Sequence, residues 1–279
     1  MGEPAVKLAY SPCPNDTYIF AALTHHVIPG APRVEVALHD IEELNAAARE
    51  GRYELTKISY GAIPFLLDRY RLLRSGGALG RGCGPLVVAR PGTVLEGIRS
   101  VAIPGQMTTA YLLLRLLFAE RGLLLPEVRT LRFDGILGAV ARNEVEAGLI
   151  IHESRFTYRD HGLVSLVDLG EWWEQATGHP IPLGGILARR DLPIEACQRI
   201  DESIRLSLAH ARAHEDEIIG YVREHAQEMD EQVMRSHIAL YVNEFSDDLG
   251  TEGEAAIRVL LERGAKAGWT PAAPVDPFA

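Results

Sequence analysis

The feature that most constrains the fold of this sequence is a regular alternation of short apolar runs with longer segments of helical spacing. Alternating strands and helices predict mixed, mostly parallel sheets covered by helices. The predicted strands lie at 6–10, 34–38, 53–59, 86–89, 100–103, 128–133, 147–151 and 186–188. The predicted helices between them lie at 17–27, 41–49, 60–68, 108–120, 135–143 and 171–176.

A Pro-Gly turn at 91–92 divides this pattern into two successive α/β runs. From residue 193 onward the sequence predicts almost only helix. This helical segment is long enough to return to the first run. Two α/β lobes joined by two chain crossings are the plan of the type II periplasmic-binding-protein fold. We therefore expect a larger lobe of residues 1–90 and 190–279, a smaller lobe of residues 91–189, and a substrate cleft between them.

Composition limits the possible partners. The 279 residues are 47% hydrophobic and 24% charged, as in an ordinary globular protein, and the net charge is −10. Proteins that bind a phosphate backbone present a basic face, and no cluster of Lys and Arg with interleaved aromatic residues occurs here. A nucleic-acid partner is therefore excluded.

The three cysteines, Cys13, Cys83 and Cys197, lie far apart and form no C-x-x-C pair. This arrangement argues against a disulfide framework and against a zinc site, and it favours reduced thiols. Cys13 could be a nucleophile, but no His or Asp at a fixed motif spacing supports that role.

Neither the N-terminus nor any apolar segment indicates a membrane or secreted protein. No basic and then apolar leader begins the chain, and the most apolar stretch, 110–125, contains Arg115, Glu120 and Arg121. We expect a cytoplasmic protein without a membrane partner.

The segment S-P-C-P-N-D-T-Y-I-F at 11–20 directly follows the first predicted strand. Pro12 and Pro14 disfavour helix before residue 15, and Asn15 and Asp16 are favourable N-caps for the helix predicted next. Free N–H groups at such a helix start can bind an anion or a polarised oxygen. Asn15 and Asp16 are therefore candidate substrate contacts, with a plain capped turn as the alternative.

Four loops are candidates for the ligand site, because ligands of α/β sheets bind beyond the carboxyl ends of the strands. They lie at 11–16, 57–60, 104–110 and 151–154, two in each α/β run. A small molecule held between the runs would contact all four loops, and closure would exclude water from it.

Polar side chains in these loops have both functional and structural explanations. Lys57, near the end of an apolar strand, could bind an anion or could extend its ammonium group to water. Thr108 and Thr109 begin a predicted helix, where hydroxyl and N–H groups converge on a ligand or merely cap the helix.

His152 is the strongest candidate for chemistry. It follows the apolar run 148–151, so a strand holds its backbone, and nearby Glu153 and Arg155 could set its pKa. A hydrogen-bonded structural histidine is the alternative, and H-E-S-R-F does not match the zinc-protease motif H-E-x-x-H. The remaining histidines considered are predicted to lie near helix ends or on the surface: His25, His26, His210, His214, His225 and His237.

The glycine-rich segment 76–84 lacks G-K-[ST] and precedes a strand, so it fits neither a P-loop nor a dinucleotide fingerprint. It is better explained as flexible backbone near the chain crossing. Arg81 within it is a candidate anion contact.

Eight long strings, in order along nearly the whole chain, carry a family resemblance. They are S-P-C-P-N-D-T-Y-I-F at 11–20, L-T-K-I-S-Y at 55–60, R-S-G-G-A-L-G-R-G at 74–82, G-P-L-V-V-A-R at 84–90, P-G-x-x-T-T-A-Y at 104–111, E-A-G-L-I-I-H-E-S-R-F-T-Y at 146–158, V-D-L-G-E-W-W-E at 167–174 and Y-V-N-E-F-S at 241–246. With these strings the sequence resembles the 1,4-dihydroxy-6-naphthoate synthases of the futalosine route to menaquinone. Gln106 and Met107 are the pair that matches the family pattern least.

The resemblance implies a two-lobed binding-protein fold without a secretion signal. It implies a lyase that converts cyclic dehypoxanthinyl futalosine to 1,4-dihydroxy-6-naphthoate and releases the sugar-derived fragment, dihydroxyacetone, without a metal or organic cofactor. By the matching motifs, His152 is implied to be the proton acceptor. The implied substrate contacts are Lys57, Ile58, Ser59, Thr109 and Ala110.

Two other functions remain open on the same fold. One is a solute-binding module without catalysis, against which the missing leader and His152 argue. The other is the sibling chorismate dehydratase, which shares the fold but not the S-P-C-P-N-D and I-I-H-E-S strings.

Overall fold

The computed structural model describes residues 5–226 and 230–278, which fold around two β-sheets. The strands are β1 (Val6–Tyr10), β2 (Val34–Leu38), β3 (Leu55–Ser59), β4 (Tyr70–Leu72), β5 (Ala78–Gly80), β6 (Leu86–Ala89), β7 (Ser100–Ile103), β8 (Glu127–Thr130), β9 (Ala147–Ile150), β10 (Val164–Asp168) and β11 (Ile181–Arg189). The α-helices are α1 (Pro14–Thr24), α2 (Ile41–Glu50), α3 (Thr109–Glu120), α4 (Phe133–Ala141), α5 (Ser154–Thr157), α6 (Leu169–Thr177), α7 (Ile194–Ala213), α8 (Glu215–His225), α9 (Glu231–Tyr241), α10 (Glu244–Asp247) and α11 (Gly250–Lys266).

The first sheet has the order β2-β1-β3-β11-β4, with β5 also paired to β11, and the second has the order β10-β6-β9-β7-β8. Strand β1 is parallel to β2 and β3, and β7 is parallel to β8 and β9. The pairs that involve β6 or β11 are all antiparallel. The sheets are therefore mixed, as predicted, but parallel pairing does not predominate, because β6 and β11 run against their neighbours.

We predicted lobe boundaries at 90/91 and 189/190. The chain passes from one sheet to the other at different positions. Strand β6 pairs within the second sheet, and β11 pairs within the first. The Pro91-Gly92 turn lies after β6, so it connects elements of the second sheet, and the chain changes sheet between β5 and β6 and again between β10 and β11. The division into folding domains stays a prediction, and residues 1–4, on which the expectation of no leader depends, lie outside the described residues.

Helix α1 begins three residues earlier than predicted. Its N-cap is Cys13, and Pro14 occupies the first helical position. Proline is favoured there because the first N–H groups of a helix have no intrahelical acceptor. Asn15 and Asp16 are therefore first-turn residues rather than caps, and their side chains are available for other contacts.

A shared apolar core fixes the two sheets relative to each other. Helix α3 is apolar on all sides because it packs against β9, β11, α6 and α11 and against a 3₁₀ turn at Tyr60–Phe65. Leu113 and Leu117 on α3 are fully buried in this core, as is Trp173 on α6. A second core lies between the first sheet and helices α1, α7 and α8. No helix of the described residues combines the length and apolar character that crossing a bilayer requires.

Candidate active site

A cavity lies between the two sheets, and all four predicted loops contribute to its wall. Helix α9 and strand β11 also contribute side chains to it. The contributions from the predicted loops are Ser11, Asn15, Asp16, Lys57, Ser59, Thr108, Thr109, Ala110, Ile151 and His152.

Lys57 and Asp16 form a buried ion pair on the first-sheet side of the cavity. The ammonium donates to Asp16 Oδ1 at 2.8 Å and to the Gly76 carbonyl at 3.1 Å. The other carboxylate oxygen accepts from the Ser11 hydroxyl at 2.7 Å. Lys57 is only 3% exposed, so the alternative of a lysine that extends to water is wrong. Its charge is neutralised by Asp16 before any ligand arrives.

Successive side chains of a strand point to opposite faces, so the three candidate contacts on β3 do not all face the cavity. Lys57 and Ser59 face the cavity, whereas the side chain of Ile58 lies in the apolar core and does not line the cavity. Asn45 on α2 donates to the Ser59 hydroxyl at 3.2 Å and accepts from the Ser59 N–H at 2.9 Å. Because the Ser59 oxygen accepts here, its hydrogen remains available to donate to a ligand.

The two threonines at the start of α3 have different partners. Thr108 is the N-cap, since its hydroxyl accepts from the Tyr111 N–H at 3.2 Å. The Thr109 hydroxyl accepts from the Gly61 N–H at 2.9 Å and donates to the Leu183 carbonyl at 2.7 Å. Thr108 thus fits the capping explanation, whereas Thr109 ties the second-sheet side to the first.

Backbone N–H groups at the start of α3 are also available to a ligand. The first N–H groups of a helix have no intrahelical acceptor, and both Thr109 and Ala110 line the cavity. A helix start of this kind favours negative charge. The site can therefore bind a carboxylate or a developing oxyanion there without a free cationic side chain.

His152 lies two residues beyond β9, in an unusual backbone conformation. Its φ is +56°, a left-handed value that costs on the order of 1–3 kcal/mol in a side chain other than glycine. The imidazole lines the cavity, and its ring centroid is 5.0 Å from that of Phe133. Strained backbone of this kind persists only where the surrounding structure enforces it, and it is concentrated at functional sites.

The imidazole of His152 is neutral at neutral pH. Burial lowers its pKa from 6.5 to about 4, with Lys57 acting in the same direction and Asp16 opposing both. The two groups expected from the sequence to set this pKa, Glu153 and Arg155, are not its causes. Arg155 instead donates to the Gly84 carbonyl at 2.5 Å and to Asp168 at 2.7 Å. These bonds hold the segment after His152 to the two places where the chain passes between the sheets.

His237 is the main site residue that sequence reasoning missed. It was predicted to lie on the surface, but its side chain is fully buried, lines the cavity and has its ring centroid 6.3 Å from that of His152. The spacing of Met234, His237 and Tyr241, three and four residues apart, forms the buried face of α9. A histidine at such a position is the signal that could have identified it.

Cys13 is a poor candidate for a nucleophile. Burial, reinforced by the Glu153 carboxylate, raises the pKa of its thiol well above the usual value, so the reactive thiolate is disfavoured. Donor atoms of Cys13, His152 and Glu153 lie within 4.8 Å of one another.

The remaining candidates lie away from the cavity. Arg81 pairs with Glu174 and Glu252 at the protein surface. Gln106 is exposed, and neither it nor Met107 lines the cavity. The Met107 N–H donates to Glu42 on α2 at 3.1 Å, a further bond between the two sides.

Solved structures define the class of this protein. A crystal structure of a protein from Archaeoglobus fulgidus is 36% identical, with a TM-score of 0.88, and the match covers 95% of this chain and 98% of the other. A periplasmic aliphatic sulphonate binding protein of Escherichia coli is 14% identical, with a TM-score of 0.68 over 99% and 91% of the two chains. The fold is therefore that of periplasmic binding proteins, as the sequence predicted.

Sequence relatives define the family. A family profile described as menaquinone biosynthesis matches residues 6–266, so the chain belongs to that family. A "1,4-dihydroxy-6-naphtoate synthase" of Thermus thermophilus is 55% identical over 94% of this chain and 95% of its own. A Streptomyces coelicolor protein of the same name is 47% identical over 100% and 99%. The chain is an enzyme of this family, and a lyase is consistent with these names.

Proposed function

We propose that the protein is a carbon–carbon lyase that converts cyclic dehypoxanthinyl futalosine to 1,4-dihydroxy-6-naphthoate with release of dihydroxyacetone. The names of its relatives support the product. The single observation that carries the mechanism is the neutral imidazole of His152, held by a left-handed backbone at the wall of the cavity.

The proposed substrate lies across the cavity and contacts both sides. Its anionic or polarised oxygens meet the N–H groups of Thr109 and Ala110 at the start of α3. The Ser59 hydroxyl donates from β3, and the Lys57–Asp16 pair forms a fixed polar wall beside it. Asn15 contributes through its contact with Asp16, in which its amide nitrogen donates at 2.9 Å.

In the proposed chemistry, His152 removes a carbon-bound proton next to a carbonyl group. A neutral imidazole has a free lone pair for this proton, and the imidazolium that forms is stabilised by the Asp16 carboxylate. The electron pair left on carbon moves to the carbonyl oxygen, where the N–H groups of α3 stabilise the negative charge. Cleavage of the bond to the sugar-derived fragment then yields the aromatic ring system, and aromatisation supplies driving force.

The test is direct incubation of the protein with cyclic dehypoxanthinyl futalosine and, separately, with chorismate. We expect the first to yield a new naphthoate absorbance together with dihydroxyacetone, and the second to remain unchanged. Dehydration of chorismate would instead identify the sibling activity. Binding of both compounds without turnover of either would identify a solute-binding module.

A further inference from the structure

His237 carries a buried acceptor that the mechanism above does not use. The residue is 0% exposed, and it lines the cavity from α9. Its Nε2 lies 3.0 Å from Asn15 Oδ1, whereas its Nδ1 has no hydrogen-bond partner.

The hydrogen-bond network determines which nitrogen of His237 carries the proton. Asp16 is a carboxylate held by Lys57 and the Ser11 hydroxyl, so only the amide nitrogen of Asn15 can face it. The amide oxygen of Asn15 must then face His237, and an oxygen requires a donor. Nε2 therefore bears the hydrogen, and Nδ1 presents a bare lone pair.

Nothing in residues 5–226 and 230–278 donates a hydrogen bond to this lone pair. The side-chain oxygen near it, Glu153 Oε2, lies 4.0 Å away, beyond hydrogen-bonding distance. Burial, together with the neighbouring His152, lowers the pKa of His237 well below its usual value, so the ring does not relieve the deficit by taking up a proton. A buried acceptor without a donor costs free energy and requires an explanation.

We propose that His237 Nδ1 accepts a hydrogen bond from a hydroxyl group of the ligand, which makes His237 a substrate-binding and specificity-determining residue. This inference rests on the proposed function, because it needs a hydroxylated substrate in this cavity. Elsewhere in the cavity wall, α3 and Ser59 offer donors that suit the ligand's anionic or carbonyl oxygens. His237 adds an acceptor, so the cavity selects a ligand that carries both donors and acceptors.

Two variants separate this role from a purely structural one. In His237→Gln the amide nitrogen is three bonds from Cβ, like Nε2, so the bond to Asn15 can persist while no atom replaces Nδ1. In His237→Asn the amide oxygen is two bonds from Cβ, like Nδ1, so the acceptor persists while the bond to Asn15 is lost. The loss of one hydrogen bond of ordinary strength weakens binding by about tenfold.

We therefore expect kcat/KM for the cyclic substrate to be about tenfold lower in His237→Gln than in His237→Asn, mainly through KM. Equal values, or a greater loss in His237→Asn, would overturn the proposal and assign His237 the structural role of holding Asn15. His161→Asn, at an exposed position, is the matched control and should behave as wild type. Absence of turnover in the wild-type protein would instead refute the proposed function, so the two failures are distinguishable.

A measurement on the wild-type protein keeps the proposal testable if either variant fails to fold. Long-range ¹H–¹⁵N spectra of the imidazole rings report which nitrogen is protonated and whether the other accepts a hydrogen bond. We expect the neutral Nε2–H form of His237 in the free protein, and an upfield shift of its Nδ1 resonance when 1,4-dihydroxy-6-naphthoate is added. An Nδ1–H form, or an Nδ1 resonance unchanged at saturating naphthoate, would overturn the assignment.

Discussion

The two sides of the cavity are built differently. On the first-sheet side, Lys57, Asp16 and Asn15 form a continuous hydrogen-bonded network with the buried His237. On the other side, the neutral ring of His152 lines the cavity, and its backbone is left-handed. The first-sheet side is therefore a hydrogen-bonded binding wall. It faces a histidine whose lone pair can take up a proton.

The largest stability effect should come from breaking the network at its ion pair. Lys57→Met leaves the Asp16 carboxylate buried without its cation, which costs about 3–5 kcal/mol in free energy of unfolding. Asp16→Asn in the same chain should restore part of this loss, because no uncompensated charge remains. Urea unfolding measures both variants.

Arg52→Met is the matched control for this prediction. Arg52 pairs with Glu50 at 2.7 Å, but the two side chains are 54% and 63% exposed. Such a pair contributes little to stability, because solvent screens it and holding two long side chains in one geometry costs entropy. If Lys57→Met lowered the free energy of unfolding no more than Arg52→Met does, the buried ion pair would not stabilise the first-sheet side of the cavity.

The pH dependence of stability tests the His152 side of the cavity. The pKa of His152 is about 4 when folded and about 6.5 when unfolded, so between these values the unfolded chain binds more protons. The free energy of unfolding should therefore fall as the pH decreases from 6.5 to 4, by roughly 3 kcal/mol at most from this residue. His237 acts in the same direction.

Urea unfolding at several pH values between 4 and 7.5 measures this slope. His152→Asn should reduce it, since asparagine tolerates a left-handed backbone and does not titrate in this range. His161→Asn, at an exposed position, is the matched control for the substitution itself. An identical slope in wild type and His152→Asn would mean that His152 is not buried in its neutral form.

A smaller effect is expected where the two sides meet. Thr109→Val removes the hydroxyl that joins the Gly61 N–H to the Leu183 carbonyl, and it leaves both groups without that partner. We expect a loss of about 1–3 kcal/mol in stability, with a lower kcat/KM. Thr109→Ser keeps the hydroxyl and should remain near wild type. A stable and fully active Thr109→Val would show that this bond does not align the two sides.

The sequence was sufficient for the fold class and for the four loops of the cavity. Strand β1 is a clear apolar run and α3 is a twelve-residue apolar helix, and the carboxyl ends of such strands indicate where ligands bind. Strands β4 and β5 have three residues each, too few for a recognisable period, and β10 has two exposed residues among its five. The chain changes sheet before β6 rather than at Pro91-Gly92, because a Pro-Gly turn looks the same within one sheet as between two.

The candidate site was less predictable than the fold. The position of Lys57 on β3 was evident, but its pairing with Asp16 depends on an approach of residues 41 positions apart. The spacing of buried residues on α9 could have indicated the burial of His237, but its contact with Asn15 spans 222 positions, which no local pattern encodes. The roles of Lys57, Ile58, Ser59, Thr109, Ala110, Asn15 and Asp16 in binding stay predictions, and Ile58 is the one whose side chain does not reach the cavity.

The most direct test of the central claim is the turnover of cyclic dehypoxanthinyl futalosine by His152→Asn, with substrate binding measured in parallel by calorimetry. General-base catalysis contributes about 10²–10⁴-fold, so kcat should fall by that factor while binding persists through Ser59 and the start of α3. In the wild-type protein, the acid limb of the pH profile of kcat/KM should lie below 6.5, near the lowered pKa of about 4. If His152→Asn kept more than about a tenth of wild-type kcat, another group would take the proton, and the account of this site would be wrong.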